Sequence, residues 1–159
     1  MMEEKLAKIY SNLANHLVSM IPGEWSKIYY LGEVETGRIS CSSIFYFYCT
    51  DNNQIIRSHD IPEIYNVSEK IYDELLDEAD NYLLELYDCF QEYEQELWNQ
   101  VNFTIDNSGK FNIDYQYNVG VAGGQITREV VWAYETFGFI PEEGTFERGK
   151  LDEYLRNKG

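Results

Sequence analysis

The chain is short of cations. Its 159 residues hold 12 lysines and arginines against 28 aspartates and glutamates, a formal net charge of −16 with an isoelectric point near 4.3. Proteins that bind duplexes or anionic membranes gain much of their affinity by setting cations against phosphates, so this shortage argues against nucleic acid and membrane as direct partners and favours a basic one. Cysteine is scarce: Cys41, Cys49 and Cys89 are odd in number, form no CxxC pair and sit in apolar surroundings. They read as reduced core thiols of a cytosolic protein, not as a disulfide framework. Long apolar runs are missing as well. Charged and polar residues from Glu3 to His16 interrupt the first segment, so neither an export signal nor a membrane anchor is expected.

Catalytic chemistry is equally thin. Histidine occurs twice, as His16 within a helical pattern and as His59 beside Asp60 in a loop. Adjacent residues rarely converge on one reacting atom, and neither histidine lies in HExxH or in a cluster with zinc spacing. Ser42 and Ser43 sit in a strand pattern without a nucleophile elbow, and Gly123-Gly124 belongs to no phosphate-binding loop. Asp51-Asn52-Asn53 lacks the spacing and terminal glutamate of a calcium loop. With 28 carboxylates some must meet in space, so their abundance says nothing about a metal site. The expectation is a protein that is not an enzyme, with no catalytic residues, no cofactor and no metal; a small carboxylate-based metal-dependent hydrolase and a self-associating regulatory module are the alternatives.

What the chain does have is apolar surface: 44% hydrophobic residues, among them 14 tyrosines, 8 phenylalanines and 3 tryptophans. That is ample for a packed core despite the charge. Leu6, Ile9, Tyr10, Leu13, Leu17 and Met20 recur at steps of three and four, giving an amphipathic helix from Glu3 to Ile21 that Pro22-Gly23 stops. Ile28 to Thr36 and Ile39 to Thr50 predict a hairpin turning at Gly37-Arg38, followed by a short strand from Gln54 to Ser58. The run Ile44 to Cys49 is apolar on both faces, as in a central strand covered on each side.

Pro62 breaks the next segment, and Ser68 caps the longest helix, Glu69 to Leu97, whose stripe Ile71, Leu75, Ala79, Tyr82, Leu86, Phe90, Tyr93 and Leu97 faces the core. Alternation from Phe103 to Asp106 and from Phe111 to Asn118 predicts a second hairpin. A loop at Gly120 to Gly124, a helix from Ile126 to Phe137 and a charged helix from Thr145 to Lys158 complete the chain. The fold expected is a single α+β domain over 1–159: an antiparallel sheet built from two hairpin units, packed against an N-terminal helix, a long acidic central helix and C-terminal helices. Trp25, Trp98 and Trp132, each at an element boundary or on an apolar face, are expected to be structural anchors.

The negative charge is concentrated. Between Glu69 and Glu96 there are eleven carboxylates and one cation, Lys70, so this stretch accounts for ten of the sixteen net charges. Asp73-Asp77, Glu74-Glu78 and Glu92-Glu96 repeat like charge four residues apart, at a cost of a few tenths of a kcal/mol each. A solvated face kept for solubility is one reading. Tolerated self-repulsion favours the other, a docking surface for a cationic protein built from Asp73, Glu74, Asp77, Glu78, Asp80, Glu85, Asp88 and Glu92.

Five segments in order resemble the YezG-like (EsaG-like) immunity family: Met20-Ile21-Pro22-Gly23-Glu24-Trp25, Ile61 to Glu69, Leu97-Trp98, Gly109-Lys110-Phe111 with Asp114 to Tyr117, and Trp132 to Pro141. The resemblance implies a cytoplasmic antitoxin that binds and silences the C-terminal nuclease domain of a cognate LXG-type or type VII-secreted polymorphic toxin. It carries over no catalytic residues, and the shared motifs look structural. Partner specificity would then lie outside them, on the acidic helix face and in the loop from Val119 to Gln125. Oligomeric state is left open.

Overall fold

The computed structural model describes residues 1–35, 37–117 and 124–158. The chain forms two compact units, Met1–Asn118 and Val119–Gly159. The first is α+β: α1 (Met2–Ser19), β1 (Trp25–Val34), β2 (Cys41–Cys49), β3 (Gln54–Arg57), a 3₁₀ turn (Ser58–Asp60), α2 (Ile61–Tyr65), α3 (Glu69–Glu92), β4 (Gln100–Asp106) and β5 (Phe111–Gln116). The second holds α4 (Gly124–Phe137) and α5 (Phe146–Lys158).

All five strands make one antiparallel sheet in the order β3-β2-β1-β4-β5. The centre is therefore β1, paired with β2 through Tyr30↔Phe45 and with β4 through Tyr30↔Phe103. Strand β2 lies second from the edge, yet Ile44 to Phe47 are buried on both faces, as its double apolar character requires. Paired with β1 on one side and β3 on the other, β2 is the interior strand that its double apolar character predicts.

Alternation sends Ile28, Tyr30 and Val34 of β1 to the face carrying Phe45 and Phe47 of β2 and Val101 and Phe103 of β4, where α1 and α3 close a single core. Helix α1 contributes Ile9, Leu13 and Leu17, as its spacing dictates. It runs antiparallel to α3: Lys5 bonds Glu92, His16 Nε2 lies 2.7 Å from the Leu75 carbonyl, and the Tyr72 hydroxyl donates to the Met20 carbonyl. Gly32 of β1 lets α3 come this close, since a Cβ there would stand 2.6 Å from Leu83 Cδ1.

The long helix begins at Glu69 as its sequence outlines and differs only at its C-terminal end. Ser68 does cap it, its Oγ accepting from Ile71 N at 3.3 Å. It stops at Glu92 instead of Leu97, because Glu94 takes a left-handed conformation (φ 53°). Glu94 N then donates to the Gln91 carbonyl at 3.1 Å and Gln95 N to the Phe90 carbonyl at 2.9 Å, closing the terminal carbonyls. That reversal drives Trp98 into the core, among Tyr87, Phe90 and Tyr115. The core stripe is Tyr72, Ala79, Leu83, Leu86, Tyr87 and Phe90, while Ile71 and Leu97 are exposed. Pro62, expected to break the chain, instead occupies the first turn of α2, where its missing N–H costs nothing.

In the second unit α4 packs on α5. Gly138 (φ 73°) reverses the chain after α4, Thr145 Oγ1 accepts from Arg148 N at 3.2 Å, and Tyr154 and Lys158 both donate to Glu135 Oε1 at 2.9 Å. These two donors hold the Glu135 carboxyl below its ordinary range. The loop expected to carry specificity falls outside the described residues from Val119 to Gly123; Gly124 and Gln125 begin α4.

Candidate functional site

Helix α3 proper carries nine carboxylates and Lys70, and the fold sorts them into three groups. Glu78, Asp88 and Glu92 have neighbours supplied by other elements, a cation for Asp88 and Glu92 and an imidazole for Glu78. Arg38, at the β1–β2 hairpin tip, holds Asp88 with two parallel bonds, Nε to Oδ1 at 3.0 Å and Nη2 to Oδ2 at 3.2 Å. Lys5 of α1 pairs with Glu92, and His16 Nδ1 lies 3.6 Å from Glu78. Exposed pairs of this kind add little to stability, because water and salt screen them. Their larger effect is to cancel the field over that part of the helix.

Asp80 forms the second group alone. Its carboxyl turns toward the sheet, where Ser43 hydrogen-bonds to it and to the Tyr30 hydroxyl (2.7 Å), and its Oδ1 is buried without a partner among the described residues. Burial pushes its pKa up to about 6, against the Ser43 hydrogen bond and with help from Asp77. Folded protein thus binds more protons than unfolded chain between roughly pH 4 and 6, so Asp80 makes stability fall as pH rises through that window. Discounted for its solvent-screened part, the penalty above pH 6 is about 1–2 kcal/mol. Asp80→Asn is expected to gain that amount in urea unfolding at pH 7.5 and little at pH 4; an equal gain at both would contradict the assignment.

The third group, Glu69, Asp73, Glu74, Asp77 and Glu85, is exposed and makes no ion pair among the described residues. Four of the five lie in the first turns of α3. The docking surface outlined by sequence is therefore uneven: its uncompensated charge sits toward the N-terminal half of the helix, while Asp88 and Glu92 at the other end are partnered. Helix sequence shows the carboxylates; Lys5 and Arg38, 87 and 50 residues from their partners, were missed because no local pattern links them.

The other singled-out residues fall elsewhere. Trp98 is 1% exposed, whereas Trp25 at the start of β1 is half-buried against the core. Trp132 on α4 is half-buried and meets Phe137 edge to face at 5.4 Å. Asp60 takes Arg57 at 3.2 Å, and His59 Nδ1 lies 3.1 Å from Ser58 Oγ. Ser58 is fully buried and accepts from Phe45 N, which makes it a sheet fastener. Burial raises the thiol pKa of Cys41 and Cys89, away from thiolate chemistry. Among the described residues no group of three His, Cys, Asp or Glu stands close enough to hold a metal ion, and no helix is long and apolar enough to cross a membrane.

A family model described as immunity protein YezG-like matches residues 6–150. The chain belongs to this family. It is 36% identical to "Immunity protein YezG" of Bacillus spizizenii, covering 98% of this chain and 96% of that protein. It is also 36% identical to "Immunity protein YezG" of Bacillus subtilis strain 168 (85% and 89% covered) and 32% identical to "Type VII secretion system protein EsaG" of Staphylococcus aureus (95% and 92%). The YezG-like match spans both units, from α1 into α5.

Proposed function

We propose that this YezG-like protein is a cytoplasmic, non-enzymatic antitoxin that binds and silences the basic C-terminal nuclease domain of a cognate LXG-type or type VII-secreted toxin. The relatives' names support the immunity role. The observation that carries the rest is the run of uncompensated carboxylates on α3. A nuclease must present cations to a polyanion, and a surface of fixed carboxylates is complementary to those same cations. The acidic face acts chiefly on the association rate, and at high salt, where the Debye length is only a few ångström, most of that advantage is lost.

The triple variant Asp73→Lys, Glu74→Lys, Asp77→Lys is expected to slow association with the toxin domain about 10- to 100-fold at low salt. These residues are exposed and make no ion pair among the described residues, so the melting temperature should be nearly unchanged. Stopped-flow or surface-plasmon kinetics against the purified nuclease domain of a candidate cognate toxin would measure it. An association rate equal to that of the parent protein, with the same salt slope, would remove this face from the interface. Failure of the parent protein to bind and inhibit that nuclease would remove the antitoxin reading itself.

A further inference from the structure

The corner between α2 and α3 leaves three aliphatic side chains in water within eight residues: Ile64 (54% exposed), Val67 (42%) and Ile71 (58%). Sequence spacing places Ile71 on the core stripe of α3. It is bare because α1, which covers that flank as far as the Tyr72–Met20 contact, has ended there. Ile64 and Val67 fall within the segment Ile61 to Glu69, and of its aliphatics only Ile61 is fully buried. Packing thus encloses Ile61 and leaves about half of the surface of the other two in water.

The corner is rigid. Asn66 adopts a left-handed conformation (φ 55°), Val67 N donates to the Pro62 carbonyl at 3.1 Å, and Ser68 Oγ caps Ile71 N. A preformed apolar surface costs little ordering entropy on binding. Around it stand Glu63, Glu69, Asp73 and Glu74, exposed and without an ion pair among the described residues, against the single cation Lys70. An apolar centre inside a charged rim is the anatomy of a protein interface, and the sign of the rim selects a cationic occupant.

We propose that Ile64, Val67 and Ile71 form the hydrophobic anchor of the toxin-docking surface, receiving an apolar side chain that projects from a basic polypeptide surface. The inference rests on the antitoxin reading and adds to it a division of labour. The carboxylates bring the partner in; the aliphatic corner holds it. A short-range contact of this kind governs dissociation and resists salt.

The test compares the parent protein, Ile64→Ser/Ile71→Ser and Ile39→Ser, the last altering an exposed aliphatic at the β1–β2 turn. Each is assayed by surface-plasmon kinetics against the purified nuclease domain of the candidate cognate toxin, at low and high salt. All three substituted side chains are exposed, so circular dichroism and melting temperature should match the parent. The double variant is expected to dissociate at least tenfold faster at both salt concentrations with an unchanged association rate, and Ile39→Ser to behave as the parent. Binding by the parent with equal dissociation from the double variant would overturn the anchor and leave the antitoxin reading intact. No binding by the parent would overturn both. Light scattering supplies a further arm: a parent dimer that the double variant converts to monomer would assign the corner to a second copy of this chain and overturn the proposal.

Discussion

Replacing Trp98 by alanine is expected to cost about 3–5 kcal/mol, the range for removing a buried large aromatic. Its ring is edge-on to Tyr87 (5.5 Å) and Phe90 (6.1 Å) and tilted against Tyr115 (5.6 Å), which ties the end of α3 to β5. Domains of this size are commonly stable by about 5–15 kcal/mol, so the variant should melt far lower and be partly unfolded at growth temperature. Trp98→Phe separates packing from polarity. The indole Nε1 has no hydrogen-bond partner among the described residues, so phenylalanine forfeits volume alone and should cost well under half as much. Denaturant unfolding followed by far-ultraviolet circular dichroism reads both values. A loss below about 1 kcal/mol for Trp98→Ala would show that this ring is not an anchor.

Gly32→Val should be comparably damaging for the opposite reason. A Cβ at this position would stand 2.6 Å from Leu83 Cδ1 and 2.7 Å from the Tyr30 hydroxyl. Both neighbours are confined: Leu83 is fully buried on α3, and Tyr30 is stacked on Phe103 at 4.8 Å with its hydroxyl on Ser43. Relief would require moving α3 off the sheet or breaking the Tyr30–Ser43 bond beside Asp80. Overpacking of this kind costs about 1–3 kcal/mol for modest insertions, and a branched side chain here should reach about 3 kcal/mol or more. Gly32→Ala should fall between Val and the parent in the same unfolding assay. An unaltered transition midpoint for Gly32→Val would mean that α3 does not depend on this close approach.

How much of this was legible follows from where each determinant sits. Helix α1 and both hairpins were readable because their signals are local: unbroken steps of three and four in α1 and β-branched, aromatic runs flanking short turns. The end of α3 was not, because the left-handed residue there is Glu94, where a glycine would have marked the stop. The exposure of Ile71 was hidden for a different reason. Its spacing is correct for the core, but the element that would bury it ends too soon, and helix length is a tertiary fact at that position. The candidate site divides in the same way. Carboxylate density on α3 could be counted directly, whereas Arg38 on Asp88 and the turning of Asp80 toward Ser43 depend on neighbours that only folding supplies.

The placement of β1 between β2 and β4 also sets an order in time. The β1–β2 ladder joins residues as few as seven apart, Val34↔Cys41, and a hairpin of this type forms on the microsecond scale. The β1–β4 ladder joins Glu33 to Gln100 and Lys27 to Asp106, with all of α3 in the intervening loop. Closing a loop of that length must precede any reward from its contacts, which slows folding in proportion to the entropy surrendered. Until it closes, one edge of the central strand is unpaired, and the newly made chain is most open to misassociation during that interval.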